Sequence, residues 1–215
     1  MLTLNCRVDL DEGVVDYVDA PTLKQRREEM CYKNFKKLKS DLDLSVIREE
    51  LATTPFWVDM SMRASVKKTQ VNTHRIQLRT NAQVPGKTYF DIHQTVDLDA
   101  WHALISVRKF VETFVAEVGG AVGHVRVANL LPGSDITPHI DIGEYCAVRD
   151  RYHLVINSDQ GTEFVVEDET VVMLENELWW FDNKKMHSVR NLGEKPRTHL
   201  VFDVLPQPML HFIEK

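Results

Sequence analysis

The stretch TPHIDIGEYCAVRDRYHLVI, residues 137–156, places His139 and Asp141 one residue apart, then Arg149, Arg151 and His153. In an extended strand, residues i and i+2 point to one face, so this imidazole and this carboxylate can converge on one point. They supply two ligands to a divalent metal. A third ligand from a distant strand completes a two-histidine, one-carboxylate triad, which leaves one side of an iron ion open for chemistry. His187, in KKMHSVRN, is the candidate third ligand. It follows the aromatic strand LWWFD and lies far enough past Asp141 for intervening strands to bring it back. A His-x-Asp pair alone arises often by chance, so the case rests on its neighbours.

Those neighbours are basic. Arg151 and His153 form a second i, i+2 pair, and Arg197 heads the apolar strand RTHLVFDVL ten residues after His187. Burying an unpaired guanidinium is costly. Each arginine therefore implies a carboxylate partner, which a guanidinium grips through two parallel hydrogen bonds. Two readings stand. The partner is a protein acid such as Asp150, Asp203 or Glu175, or it is a bound carboxylate ligand.

Strands must carry these side chains. After Gly120 the segments HVRVANLL, TPHIDI, RYHLVIN, EFVVED, ETVVML, ELWWFD, HSVRNL and RTHLVFDVL are short and apolar. Turn signals such as Pro132-Gly133, Asp182-Asn183 and Gly193-Glu194 separate them. Six to eight short strands at this rhythm predict a mainly β domain, a jelly roll or double-stranded β-helix. TQVNTHRIQLRT and KTYFDIHQTV read as two earlier strands, and DLDAWHALISVRKFVETFVAEVGG as one helix with an apolar stripe and a glycine end. TLKQRREEMCYKNFKKLKSDL and LSVIREELATT read as helices. The chain is therefore divided into a helical N-terminal extension, 1–68, packed on a β domain, 69–215.

Bulk properties narrow the class. With 215 residues, 43% hydrophobic and 27% charged, the chain suits one core. A net charge of −6 argues against nonspecific nucleic-acid binding. No apolar run approaches a membrane span, and the N-terminus carries acids where a signal peptide would be basic. Cys6, Cys31 and Cys146 are few and widely spaced, which suggests free thiols and a cytoplasmic setting. Neither a phosphate loop nor a nucleophile elbow is present.

RVANLLPGSDITPHID, then RDRYHL, then ELWWFDNKKMHSVRNLGEKPRTHLVFDV resemble the aspartyl/asparaginyl β-hydroxylase family of iron(II)- and 2-oxoglutarate-dependent dioxygenases. The resemblance runs from about Val125 to Leu205, and it does not extend to the first 65 residues. It implies a cupin-like double-stranded β-helix, Fe(II) held by His139, Asp141 and His187, and 2-oxoglutarate held by Arg151, His153 and Arg197. It further implies O2 as co-substrate and hydroxylation of a C–H bond of an amino acid, free or as a peptide or protein side chain. Vertebrate members lack the metal-binding carboxylate. Asp141 stands in that place here, as in bacterial members similar to free-proline hydroxylases, which supports a full triad and weakens any carry-over of the vertebrate substrate. The alternatives are a metallo-cupin enzyme without 2-oxoglutarate, which leaves Arg151 and Arg197 unexplained, and a non-catalytic β-barrel binding module. Arg79, Arg126, His74, His93 and His199 are further candidates for the cavity, Asn191 for support of the distal histidine, and Trp179 or Trp180 for core packing.

Overall fold

The computed structural model describes residues 21–60 and 73–213. The N-terminal segment with Cys6, the Thr69–Asn72 part of the first expected strand and the 68/69 boundary lie outside the described residues. The alternating apolar pattern after Thr73 produces two antiparallel sheets. The larger takes in β1 (Phe35–Lys39), β10 (Leu178–Phe181), β7 (Asp150–Asn157), β12 (Arg197–Pro206), β5 (Gly120–Leu130), β3 (Thr73–Asn81) and β2 (Val58–Asp59) in that order, with β4 (Thr95–Asp97) on β3. The smaller has the order β6 (Asp135–His139), β11 (His187–Asn191), β8 (Thr162–Val166) and β9 (Glu169–Val171).

Period-two alternation sorts the central strands into two cores. From β7, Tyr152, Leu154 and Ile156 face the helices; Leu200, Phe202 and Val204 of β12 and Val125 and Val127 of β5 do the same. The opposite faces carry Val155 and Leu130, which meet Phe164, Val166, Phe181 and Val189 between the sheets. β7 and β12 are buried nearly throughout. A polar residue on their inner face is therefore withdrawn from water and must find a partner within the fold.

Helix α4 (Ile105–Val118) buries Val107, Val111, Phe114 and Val115, the stripe that its spacing predicts. It ends at Gly119 (φ 76°), whose N–H returns to Val115 O at 2.9 Å. The expected single helix is in fact two, α3 (Asp99–Ala103) and α4, broken at Leu104. The expected strand KTYFDIHQTV contracts to β4. Its first half is a loop pinned by Tyr145 N–H donating to Phe90 O at 3.0 Å.

The N-terminal reading also changes. Helix α1 (Pro21–Glu29) stops early, and Cys31 turns the chain at φ 54°. The lysine-rich FKKLK then forms β1, pairing antiparallel with the aromatic β10. Lysine favours helices in isolation, but ladder pairing with a buried tryptophan strand overrides that preference. Lysines also suit β1 as a sheet edge. Helix α2 (Ser45–Thr53) forms as expected. Trp180 packs on the helix side and Trp179 between the sheets.

Candidate active site

His139 and His187 are directly paired across β6 and β11, with ring centroids 4.3 Å apart. Each ring is oriented by the same device: His139 Nδ1 lies 2.8 Å from Thr137 O, and His187 Nδ1 2.9 Å from Lys185 O. A carbonyl can only accept, so both Nδ1 atoms carry the hydrogen, and in the neutral ring Nε2 is the atom with the lone pair. Those Nε2 atoms face one carboxylate: His139 Nε2 is 3.9 Å from Asp141 Oδ1, and His187 Nε2 3.9 Å from Asp141 Oδ2. Burial pushes His187 down to about 4, so it is neutral at ordinary pH.

Asp141 lies two residues past the end of β6 rather than within it. Its place comes from the turn that follows, where Gly143 adopts φ 102° against the backbone of Phe90. A side chain at Gly143 would strike that backbone. Burial alone would raise the Asp141 carboxyl, but the Arg151 guanidinium beside it outweighs that and holds it well below the usual carboxylate range.

The potential ligand atoms of His139, Asp141 and His187 all lie within 4.8 Å of one another. Two lone-pair nitrogens and one ionised oxygen converge without an intervening proton. That donor set fits a divalent iron and leaves a face unliganded by protein.

The three basic candidates separate. Arg151, on β7 opposite Asp203 of β12, grips that carboxylate with Nε at 2.7 Å and Nη2 at 2.9 Å, and Nη1 donates to Asp141. It thus has the protein-acid partner that the sequence left open. Arg197 has none. It is 3% exposed, lies over the Phe164 ring at 5.5 Å, and its nearest polar neighbours are His199 Nδ1 at 3.0 Å and His153 Nδ1 at 3.5 Å. No carboxylate pairs with it among the described residues, and its Nε has no hydrogen-bond partner. Burial pushes its guanidinium down to about 9.

His153 and His199 are themselves buried, with Nδ1 atoms 3.2 Å apart. Burial first, then the Arg197 guanidinium and, for His153, the neighbouring His199 hold both well below the usual histidine range. Phe164 and Phe181 connect the two halves of the site. Phe181 lies 5.0 Å from both His153 and His187, and Phe164 lies 5.4 Å from His153 and 6.4 Å from His187. The site is therefore a triad at one end, an aromatic wall, and an unpaired guanidinium flanked by neutral imidazoles.

Other candidates scatter. Arg126 lies on β5 opposite Val201, half-buried, with no ion pair or hydrogen bond among the described residues. It is close enough to Asp141 and Asp203 to lower both carboxyls. Arg79 is committed to Asp97 at 2.8 Å and lies over Trp101. His93 stacks on Tyr145 and His124. His74 lines a separate surface cavity of about 600 Å³ with Trp57 and Arg48. Asn191 is buried and donates to Leu130 O and Lys195 O at 3.0 and 2.9 Å, tying the β11 exit to β5. Sequence reasoning passed over Asn183, whose Nδ2 donates to Asp141 Oδ2 at 3.1 Å. One asparagine in a polar turn carries no periodic signal.

This architecture defines a double-stranded β-helix protein with a His-Asp-His candidate metal centre. Residues 103–206, just under half of the chain, match the aspartyl/asparaginyl beta-hydroxylase family. The chain is similar to that family over the segment that holds His139, Asp141, His187, Arg151, His153 and Arg197. It is also 29% identical, over 99 residues, to the L-proline cis-4-hydroxylase of Rhizobium meliloti (strain 1021). That match covers 44% of this chain and 35% of the relative, so the chain spans about a third of that protein's length. An oxidoreductase of the 2OG-Fe(II) oxygenase family from Burkholderia pseudomallei superposes with a TM-score of 0.56 at 12% identity, covering 86% of this chain and 91% of that one. At that identity the likeness is one of fold. No helix among the described residues is long and apolar enough to cross a membrane.

Proposed function

We propose that this protein is an Fe(II)/2-oxoglutarate-dependent dioxygenase that hydroxylates a C–H bond of an amino acid, free or within a peptide or protein. Residues 69–215 are its dioxygenase domain, to whose large sheet the preceding segment adds β1 and β2. The carrying observation is Arg197. A buried guanidinium with no carboxylate partner among the described residues, across an aromatic wall from a His-Asp-His cluster, calls for a ligand with a carboxylate at its far end. 2-Oxoglutarate has one there, and its keto acid group chelates a metal. A metallo-cupin enzyme that uses no such co-substrate gives Arg197 no role.

Iron, when bound, supplies the activation of O2 that couples decarboxylation of 2-oxoglutarate to hydroxylation. The chain supplies the rest. His139 and His187 present Nε2 lone pairs because backbone carbonyls hold their Nδ1 protons. Asp141 stays ionised because Arg151 stands beside it. Arg197 pairs with the distal carboxylate, while His153 and His199 remain neutral and add no competing charge. Phe164 and Phe181 keep water from the space between.

The related L-proline cis-4-hydroxylase directs attention to amino-acid substrates. Arg126 suits the carboxylate of such a substrate, since it is half-buried, without an ion pair among the described residues, and close enough to Asp141 to lower its carboxyl.

An anaerobic titration of the metal-free protein with iron(II) and then 2-oxoglutarate, followed in the visible, tests this reading. A weak charge-transfer band that needs both additions, and that His187→Ala abolishes, is the expected result. Iron binding with no such band rules out chelated 2-oxoglutarate; no iron binding at all favours a non-catalytic barrel. Succinate formation is then screened with free amino acids, L-proline included. With a substrate in hand, Arg126→Ala is expected to raise its KM at least tenfold while 2-oxoglutarate affinity stays within about twofold.

A further inference from the structure

Asp141 is held from behind. Arg151 Nη1 and Asn183 Nδ2 both donate to Oδ2, the latter at 3.1 Å, and the Asp141 main-chain N–H donates to Asn183 O at 3.1 Å. A carboxylate oxygen offers about two lone-pair directions. Both directions on Oδ2 are taken, although that atom also lies 3.9 Å from His187 Nε2. Oδ1 receives no hydrogen bond among the described residues and faces His139 Nε2 at 3.9 Å.

Arg151 is itself fixed. Its two contacts to Asp203, at 2.7 and 2.9 Å, are the planar fork-to-carboxylate arrangement. Asp203 Oδ2 also accepts from Tyr145 Oη at 3.2 Å, and Tyr145 Oη accepts from the His124 main-chain N–H at 2.7 Å. The chain of contacts is buried: Asp203 is 1%, Tyr145 1%, Asn183 2% and Arg151 6% exposed. It therefore ties the carboxylate to the centre of the large sheet, through β12 and β5.

We infer that Asn183, Arg151 and Asp203 form a positioning clamp that fixes the Asp141 carboxylate and reserves Oδ1 for the metal. The inference rests on the dioxygenase reading and gives Arg151 a different task from the one the family resemblance implies. Three of its nitrogens serve two carboxylates of the protein, which leaves Arg197 to anchor the co-substrate. It also explains how a ligand outside any strand keeps a single geometry: the turn after β6 supplies the position, and the clamp supplies the rotamer. Groups that orient metal ligands typically change metal affinity 10- to 100-fold when removed.

Cobalt(II), titrated anaerobically into the full-length metal-free protein, is the probe. It reports affinity, and its visible d–d bands report the ligand set. Asn183→Ala and Asp203→Asn are each expected to weaken cobalt binding roughly 10- to 100-fold and to alter the band shape, in samples whose circular dichroism matches wild type. Arg151→Lys, which cannot span both carboxylates, should do the same. Should Asp203→Asn not fold, Asn183→Ala carries the test alone. Unchanged cobalt affinity and spectrum in the folded variants overturn the clamp. So does an Arg151→Lys protein that binds cobalt normally and loses only 2-oxoglutarate. A wild-type protein that binds no cobalt or iron overturns the dioxygenase reading itself, which separates the two failures.

Discussion

Arg197→Met is expected to make the ligand-free protein more stable and to remove its affinity for 2-oxoglutarate. The opposite signs follow from one fact, that Arg197 is a buried charge with no countercharge among the described residues. Replacing buried ionic groups by apolar ones of similar volume is often stabilising, because the desolvation cost disappears. Methionine fills the space and keeps the contact with Phe164. Burial pushes the Arg197 guanidinium from its usual range down to about 9. At pH 7 the folded and unfolded chains both hold this proton, so the whole cost of burial is present, on the order of a few kcal/mol. Above pH 9 the folded form releases the proton while the unfolded form keeps it up to about 12.5. Wild-type stability therefore recovers through that window, and the advantage of the variant shrinks.

Urea denaturation at pH 7 and pH 10 measures both parts of this expectation. Calorimetric titration with 2-oxoglutarate on the iron-loaded protein measures the functional loss. Removing one member of a buried charged pair costs about 2–5 kcal/mol, roughly 30-fold to several thousand-fold in Kd. A variant less stable than wild type at pH 7 would mean that Arg197 is already compensated in the free protein, and its unpaired state would no longer argue for a ligand.

Asp150→Asn is expected to lower the melting temperature by roughly 6–20 °C. Asp150 is fully buried and accepts from Arg26 Nη1 at 2.6 Å, from Arg27 Nε and Nη2 at 3.0 and 2.9 Å, and from Trp180 Nε1 at 3.0 Å. Arg27 is buried as well and lies over the Trp180 ring. The carboxylate thus fastens α1 to the start of β7, one residue before Arg151. Neutralising one partner of a buried pair costs about 3–5 kcal/mol. For a chain of this size each kcal/mol is worth about 2–4 °C.

The pH dependence has a definite sign. Burial raises the Asp150 carboxyl, but Arg27, Lys184 and Arg26 outweigh it and hold it below its usual value. Asp203 is lowered in the same way, chiefly by Arg151 against its own burial. Both carboxylates stabilise the fold fully above the unfolded-state value near 4, and their contribution is lost as pH falls through the lower folded-state values. Wild type should therefore lose stability on acidification with uptake of protons, and Asp150→Asn should show a shallower acid limb. Differential scanning calorimetry from pH 7 to pH 3 decides the matter. An Asp150→Asn protein that melts within about 2 °C of wild type would show that α1 docks through its apolar contacts alone.

Much of the site was legible as a chain of letters because strands enforce strict alternation. Arg151 and His153 could be placed on one face because residues i and i+2 of a strand share it, and Arg197 stood out as a guanidinium at the head of an apolar strand. Short-range periodicity also located the α4 stripe and the rhythm of β5 to β12. It failed where tertiary pairing overruled local preference. FKKLK became a strand because β10 offered a ladder to complete, and TYFDIH became a loop because Gly143 left room for the Phe90 backbone to pack close.

Residue types and their spacing therefore determined the β architecture, the three converging metal-ligand candidates and the requirement that buried arginines find carboxylates. Only the tertiary structure decided which carboxylate each one finds. Arg151 and Arg197 are alike in sequence, each on a central strand and each near a histidine. Register sets Asp203 directly across from Arg151, whereas Arg197 faces Leu130 across β5 and two neutral histidines on its own side. The difference between a structural ion pair and an open anion site is a matter of which strand lies alongside, and at what offset. That information resides in hydrogen-bond pairing between segments some fifty to seventy residues apart, beyond the reach of any local pattern.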